Sequence, residues 1–146
     1  MPTRTARTAW NGTLQEGSGQ VELTSSGVGT YEVSFPKRAA EESPGTTSPE
    51  ELIAAAHAAC FAMSLSNEIA QAGGTPQALD VTAHVTLGPD AERGGFAITG
   101  IALEVEAEVD GLDAAGFQTA AQTAKAGCPV SKALSGTTIT LDARLA

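Results

Sequence analysis

The sequence of 146 residues predicts one α+β domain, and three observations support this class. Short segments that alternate between apolar and polar residues open the chain, as strands of a half-buried sheet do. A long apolar segment then has the length and the end signals of a helix. Two longer alternating segments, two further helical segments and a last strand follow, so that strands and helices occur in separate runs.

The N-terminal part, residues 1–35, predicts a small antiparallel β-meander. Its segments RTAWNGT, GQVELTS and TYEVSF alternate with period two and are separated by turns that contain glycine. Residues 36–48 carry two prolines and a glycine and show no apolar periodicity, so we expect a loop there.

A long central helix is predicted over residues 48–72. Ser48 is a suitable N-cap, Pro49 stands at the first helical position, and Glu51 completes a Ser-x-x-Glu capping box. A Gly-Gly pair ends the helix. The middle of this helix is apolar on nearly all sides, so we expect it to be buried all round.

The C-terminal part, residues 79–146, predicts strands and helices. LDVTAHVTL and FAITGIALEVEAEV read as two strands, and the second places Glu104, Glu106 and Glu108 on one exposed face, which favours solvent contact over metal binding. DAAGFQTAAQTAKAG predicts a helix that begins at an Asp113 cap. A short helix beginning at Cys128 and a final strand, TTITLDARL, close the chain.

Composition and charge exclude several classes of protein. A hydrophobic content of 42% with 17% charged residues is ordinary for a globular domain, and a net charge of −9 disfavours a nucleic-acid partner. The N-terminus has no apolar stretch of a secretory signal, and the longest low-charge run, residues 52–67, is too short to span a bilayer. We therefore expect a cytoplasmic protein with no membrane partner.

The two cysteines of the chain allow two interpretations. Cys60 lies within HAACFAMSL, in the apolar helix, where a thiol often acts as a small hydrophobic side chain. Cys128 precedes a proline and stands near a predicted helix N-terminus, where a thiolate is favoured. The alternative is therefore a redox pair, in which one sulfur attacks and the other resolves.

Three ionisable residues near Cys60 are further candidates. His57 lies one turn before Cys60 and is either a base or ion-pair partner for the thiol, or a histidine satisfied by packing contacts. A metal site built from His57, Cys60, His84 and Cys128 would match no known zinc spacing. Glu50 lies about 80° around the helix from Cys60 and about 15 Å along it, whereas Glu51 points to the opposite side.

These motifs closely resemble the osmotically inducible protein C (OsmC) family, which includes the organic hydroperoxide resistance proteins. SPEELIAAAHAACFAMSLS and AKAGCPVSKAL carry the resemblance, which extends from AWNG through GFAITGIAL to ITLDARL. HAACF favours the OsmC branch, because the other branch usually carries a tyrosine where His57 stands. The resemblance implies an OsmC-like fold, with antiparallel sheets around a long buried central helix, in an intertwined homodimer.

The resemblance also implies a thiol-dependent peroxidase that reduces organic hydroperoxides and, more weakly, hydrogen peroxide. Cys60 matches the peroxidatic cysteine, which forms a sulfenic acid, and Cys128 matches the resolving cysteine, which forms the disulfide. Glu50 matches a glutamate that pairs with an arginine that stabilises the thiolate. Arg38 is the expected arginine, with Lys37 and Arg7 as alternatives.

No cofactor or metal is implied, and an external thiol or dithiol, for which a lipoylated protein is a candidate, would restore both cysteines. An apolar pocket lined by alanine and leucine side chains with Phe61 and Met63 would favour an organic hydroperoxide. The alternatives are a non-catalytic domain of the same fold that binds a small apolar ligand, and a binding protein with a structural disulfide.

Overall fold

The computed structural model describes the whole chain, residues 1–146. The chain forms two compact units, Met1–Leu52 and Ile53–Ala146. The first contains strands β1 (Arg7–Asn11), β2 (Ser18–Glu22) and β3 (Thr30–Val33), helix α1 (Phe35–Arg38) and the start of helix α2 (Pro49–Gln71). The second contains the rest of α2, strands β4 (Thr75–Pro89), β5 (Phe96–Asp110) and β6 (Ile139–Leu145), and helices α3 (Ala114–Gly127) and α4 (Pro129–Ala133).

The first unit is built on the predicted meander. Its strands pair antiparallel in the order β1-β2-β3, with Thr8 opposite Val21 and Val21 opposite Tyr31. Val21 is the one buried apolar side chain of this unit, and it retains 7% exposure. The unit therefore has almost no apolar core of its own.

The prediction of a loop over residues 36–48 was wrong at its beginning, because α1 occupies Phe35–Arg38. Ser34 caps this helix by accepting a hydrogen bond from the Lys37 N–H, and Pro36 stands in its first turn. These are the same end signals that predict α2, but they are followed by no apolar repeat. α1 places Arg38 at a helix C-terminus.

Helix α2 begins and ends as the sequence predicts. The Ser48 hydroxyl accepts a hydrogen bond of 3.1 Å from the Glu51 N–H, which forms one half of the capping box. The other half is missing, because the Glu51 carboxylate instead accepts a hydrogen bond of 2.5 Å from the Thr47 hydroxyl. At the other end, Gly73 has a φ of +91°, and the Gly74 N–H donates to a carbonyl of the last turn.

The single chain buries only one face of α2, so burial on all sides stays a prediction that depends on a second copy. Phe61, Leu65 and Ile69 lie on one face and are fully buried, whereas Met63 is 74% exposed on another. By length and composition α2 could also cross a membrane, with a mean hydropathy of 1.3, so the apolar segment is not too short to do so. The core helices of folded domains pass the same test, so this property alone indicates no membrane span.

The second unit contains a three-stranded sheet in the order β4-β5-β6. β4 and β5 pair antiparallel as predicted. β6 pairs parallel to β5, so the prediction of purely antiparallel sheets was wrong in this respect. The reason is the connection, because α3 and α4 lie between β5 and β6 and return the chain to the starting end of the sheet.

One face of this sheet carries the core, and the other faces solvent. Leu103, Val105 and Ala107 of β5 pack in one cluster with side chains of α2, α3 and β6. The alternate residues Glu104, Glu106 and Glu108 are exposed, as predicted. α2 and α3 are therefore held by the same apolar sheet face.

Both helices predicted after β5 are present. The Asp113 carboxylate accepts a hydrogen bond of 2.7 Å from the Gly116 N–H and caps α3. Cys128 follows the last residue of α3 and is the N-cap residue of α4. This junction fixes where the second cysteine lies.

The structure separates the two contributions of the capping box. We expect Ser48→Ala to lower the free energy of unfolding by about 1 kcal/mol, because the first-turn N–H loses its acceptor. Glu51→Ala keeps the backbone donor and removes an exposed carboxylate with its exposed hydrogen bond from Thr47, so the loss of stability should stay below about 0.5 kcal/mol. Urea unfolding of both variants measures this, and an equal loss in the two would contradict the assignment.

Candidate thiol active site

The two cysteines form a close pair within the second unit. Cys60 Sγ and Cys128 Sγ are 2.9 Å apart, and both cysteines are free thiols. Cys128 is fully buried and Cys60 is partly exposed. Since a disulfide bond is about 2.05 Å long, a small movement joins the sulfurs. The structure thus brings together two residues that are 68 positions apart in the sequence.

The two sulfurs differ in acidity. Burial raises the pKa of the Cys60 thiol, and its hydrogen bond with Cys128 raises this pKa further. Burial alone would also raise the pKa of Cys128, but hydrogen bonding with Cys60 and with Ser131 outweighs it and lowers the pKa of Cys128. Either thiol can donate the hydrogen bond between the two sulfurs, and the directions of the two pKa shifts favour Cys60 as the donor.

An ion pair forms in the first unit between Arg38 and Glu50. Arg38 Nε donates to both carboxylate oxygens of Glu50, at 2.9 and 3.1 Å, and its Nη2 lies 2.7 Å from Oε1. The guanidinium thus holds the carboxylate in a two-pronged geometry. Glu50 is only 8% exposed, but the Arg38 side chain is 33% exposed, so the pair is only partly shielded from solvent.

The alternative cations have other surroundings. Arg7, on β1, lies 4.0 Å from the exposed carboxylate of Glu22. Lys37 is exposed and lines a polar cleft of the first unit. Of the three candidates that the sequence leaves open, the structure pairs Arg38 with Glu50.

An apolar cleft adjoins Arg38 in the first unit. Its volume is about 370 Å³, and its walls include Trp10, Leu14, Phe35 and Leu52 as well as Arg38. The predicted pocket of Phe61 and Met63 is not formed within the chain, because Phe61 belongs to the core and Met63 is mostly exposed. The periodicity of a helix shows which of its residues are apolar, but it does not show whether these residues line a cavity.

His57 contacts a residue that the sequence analysis did not single out. Its Nε2 lies 2.7 Å from Ser131 Oγ, and its Nδ1 is buried without a partner. Burial lowers the pKa of His57, so its imidazole is neutral at pH 7. Ser131 occupies the third position of the helix that Cys128 caps, a position from which a side chain reaches back to the cap. The spacing of three residues between Cys128 and Ser131 was the one feature of the sequence that could have pointed to this serine.

Of the four metal-ligand candidates, the two histidines do not join the two cysteines in one cluster. His84 lies on the exposed sheet face, with Nε2 3.7 Å from Glu104 Oε2. His57 is bonded to a serine hydroxyl instead. No group of three His, Cys, Asp or Glu side chains is arranged to hold a metal ion.

A pair of free thiols whose sulfurs lie 2.9 Å apart, on an α+β frame, defines a protein of dithiol chemistry. The sequence model of the OsmC-like protein family matches residues 41–142. The chain belongs to this family.

Comparison with individual proteins gives the same result. The chain is 47% identical over 136 residues to peroxiredoxin OsmC of Escherichia coli, which covers 93% of this chain and 92% of that protein. Among solved structures, it is similar to an organic hydroperoxide resistance protein OsmC from Legionella pneumophila, with a TM-score of 0.78 and 26% identity over 99% and 98% of the two chains. It is also similar to OhrB of Bacillus subtilis, with a TM-score of 0.73 and 30% identity over 97% and 98%. The family and the paired thiols make this chain a cysteine-based peroxidase.

Proposed function

We propose that this peroxidase reduces organic hydroperoxides through a Cys60 sulfenic acid and a Cys60–Cys128 disulfide. The observation that carries the proposal is the contact of 2.9 Å between the two sulfurs. A single-cysteine peroxidase or a non-catalytic binding domain would not require this contact. The names of the relatives support the same substrate class, since they include a peroxiredoxin and organic hydroperoxide resistance proteins.

In the first step the Cys60 thiolate attacks the terminal oxygen of the hydroperoxide. The S–O bond forms while the O–O bond breaks, and the alkoxide takes up a proton and leaves as an alcohol. The Cys60 sulfur is oxidised by two electrons and the peroxide is reduced by two. Cys60 is the sulfur proposed to attack, because it is the partly exposed member of the pair.

In the second step Cys128 attacks the sulfenic sulfur of Cys60. The S–S bond forms, the S–O bond breaks, and hydroxide leaves as water after taking up a proton. An external dithiol then reduces the disulfide by thiol exchange and returns both thiols, with no bound cofactor. Two free cysteines suit the reducing cytoplasm, which we propose as the compartment.

The first step requires a cation near Cys60. Burial raises the pKa of this thiol, so at neutral pH it would remain protonated without help. We propose that Arg38, held by Glu50, supplies the positive charge, either in the same chain or from a second copy. A guanidinium suits this role because it can contact a carboxylate and a thiolate at once.

The substrate is proposed to place its organic group in the apolar cleft beside Arg38. The cleft of about 370 Å³ is large enough for a small aromatic or alkyl group. Hydrogen peroxide gains nothing from apolar walls. We therefore expect cumene hydroperoxide to be consumed faster than hydrogen peroxide in an assay with dithiothreitol.

The exposed side of α2 supports a homodimer. Met63 on this helix and Trp10 and Tyr31 in the first unit are large apolar side chains that the single chain leaves exposed. A second copy would cover such surfaces. Light scattering after size exclusion should give about twice the chain mass of 14.7 kDa, and a fully active monomer would exclude the dimer.

Substitution of each cysteine tests the cycle. Cys60→Ser should abolish turnover, because a serine hydroxyl is not a comparable nucleophile at neutral pH. Cys128→Ser should still reduce about one equivalent of hydroperoxide and then stop as a sulfenic acid, open to further oxidation. Turnover is measured with a protein dithiol as well as dithiothreitol, because the small dithiol can itself resolve the intermediate. Steady turnover by both variants with the protein dithiol would show that the cycle is wrong.

The Arg38–Glu50 pair is tested by the acidity of Cys60. Arg38→Ala should slow single-turnover peroxide reduction about tenfold or more, because a lost opposite charge raises a pKa by about one unit or more. Glu50→Ala should slow it as well, because the carboxylate that holds the Arg38 guanidinium in place is lost. The double variant should lose little beyond the worse single variant, since the residues act as one group. Alkylation of Cys60 against pH measures the shift. Lys37→Ala is the control at the neighbouring residue and should leave the pH profile of Cys60 alkylation unchanged. If Lys37→Ala shifted this profile and Arg38→Ala did not, Lys37 would be the activating cation.

A further inference from the structure

A second contact runs beside the pair of sulfurs, between the same two segments. His57 precedes Cys60 by three residues on α2, and Ser131 follows Cys128 by three residues on α4, so the two contacts lie about one helical turn apart. His57 is 0% exposed and Ser131 is 6% exposed. The proposed peroxide cycle uses neither residue.

The unpartnered nitrogen of His57 identifies the tautomer. The imidazole is neutral, because burial lowers its pKa, so it carries one proton. A proton on Nδ1 would leave a buried N–H donor without an acceptor, which folded proteins rarely tolerate. We therefore assign the proton to Nε2, from which it is donated to Ser131 Oγ over 2.7 Å.

This bond determines what the serine hydroxyl can do. The Ser131 oxygen accepts from His57, so its own proton is free to be donated elsewhere. Ser131 is the third residue of the helix that Cys128 caps, a position from which its N–H and its side chain reach back to the cap residue, and both groups lower the pKa of Cys128. Cys128 makes no side-chain capping bond as a thiol, so these donors are available to the thiolate.

The other sulfur has a serine of its own. Ser64 lies one turn after Cys60 on α2, and its hydroxyl lowers the pKa of Cys60, against the stronger effect of burial. Each cysteine thus has one serine donor within a turn of the same helix. Ser131 is the one that a second buried side chain holds in place.

We propose that Ser131 is a catalytic residue of disulfide formation and that His57 is its positioning residue. The Ser131 hydroxyl donates to the Cys128 sulfur and keeps it ready to attack the Cys60 sulfenic acid, while the His57 N–H stops that hydroxyl from turning away. This inference rests on the proposed peroxide cycle and assigns two residues to its second step.

The step balances with these residues in place. The Cys128 thiolate gives an electron pair to the sulfenic sulfur, the S–O bond breaks, and hydroxide takes up a proton and leaves as water. Ser131 and His57 keep their protons throughout and gain or lose no electrons. Their effect is on how much Cys128 is thiolate when the sulfenic acid forms.

The test follows the sulfenic acid and the disulfide separately in the full chain. One equivalent of cumene hydroperoxide is mixed with the reduced protein, samples are quenched with dimedone at set times, and mass spectrometry counts each species. Ser131→Ala should form the sulfenic acid at the normal rate and the disulfide about three- to tenfold more slowly at pH 7. Ser64→Ala is the matched control and should slow the first step without slowing the second.

The pH profile distinguishes this role from a structural one. The titratable groups facing the Cys128 sulfur are Cys60 and, behind Ser131, His57, both from α2; Lys125 and Lys132 adjoin it along α3 and α4. A thiol of higher pKa is ionised less at pH 7 but is intrinsically more nucleophilic once ionised. The deficit of Ser131→Ala should therefore shrink as the pH rises and disappear when both forms are ionised. A misplaced Cys128 would stay slow at every pH.

Conservative variants complete the test. Ser131→Thr retains a hydroxyl and should restore most of the rate. His57→Gln can place an N–H near the position of Nε2 and should resolve faster than His57→Leu, which cannot donate. If Ser131→Ala does not fold, this His57 pair, judged by the same pH profile, decides the question.

The outcomes separate the inference from the function on which it rests. If the wild-type chain reduced no hydroperoxide, both would fail. If the wild type turned over but Ser131→Ala formed its disulfide at the normal rate, or slowly by the same factor at every pH, the inference alone would be wrong. If His57→Gln and His57→Leu formed the disulfide at equal rates, the role assigned to His57 would be wrong.

Discussion

The contact between the two sulfurs depends on how α2 and α3 are fixed to one sheet. Phe61 follows Cys60 directly and is buried in the cluster that also contains Phe117 of α3 and Leu103 of β5. α3 in turn ends at Gly127, one residue before Cys128. Each thiol is therefore attached to a helix whose apolar face is anchored a few residues away. A packed core resists small displacements, so the distance between the sulfurs is a property of the fold.

Burial acts to raise the pKa of both thiols, but the net result differs between them. It leaves Cys60 a weak acid, so the first step of the proposed cycle requires a cation, and Arg38 paired with Glu50 is the one we propose. For Cys128 the same burial is outweighed by local donors, and no distant charge is needed. In the proposed cycle, one sulfur is thus activated by a cation outside its own helix, and the other by donors of its own helix.

Local patterns in the sequence predicted much of the fold. The meander, both ends of α2, the Asp113 cap and the helix that starts after Cys128 all follow from signals that span a few residues, and the structure has each of them. These signals were less reliable where a segment is very short or where a side chain has more than one hydrogen-bond partner within reach. α1 is too short to show a repeat, and the Glu51 carboxylate bonds the Thr47 hydroxyl instead of completing the cap.

Long-range features were less accessible, because they depend on which segments meet. The parallel pairing of β6 follows from the path of α3 and α4 and not from its own alternation. His57 and Ser131 are 74 positions apart, and nothing in either segment marks the other as its partner. The family resemblance supplied the thiol pair and its acidic residue, but it did not indicate the serine. Similarly, the apolar sequence of α2 predicts that the helix is buried, but it does not show whether the residues that bury it belong to the same chain.

The solvent face of the larger sheet affects how copies of this chain meet. Glu104, Glu106 and Glu108 form a row of carboxylates there, and Arg144 is the neighbouring cation, already engaged by Asp142. Two such faces repel each other at neutral pH, in a chain whose net charge is −9. Stacking of sheet on sheet through these faces is thereby disfavoured. This electrostatic repulsion weakens in acid, as the pH approaches the isoelectric point of about 4.5.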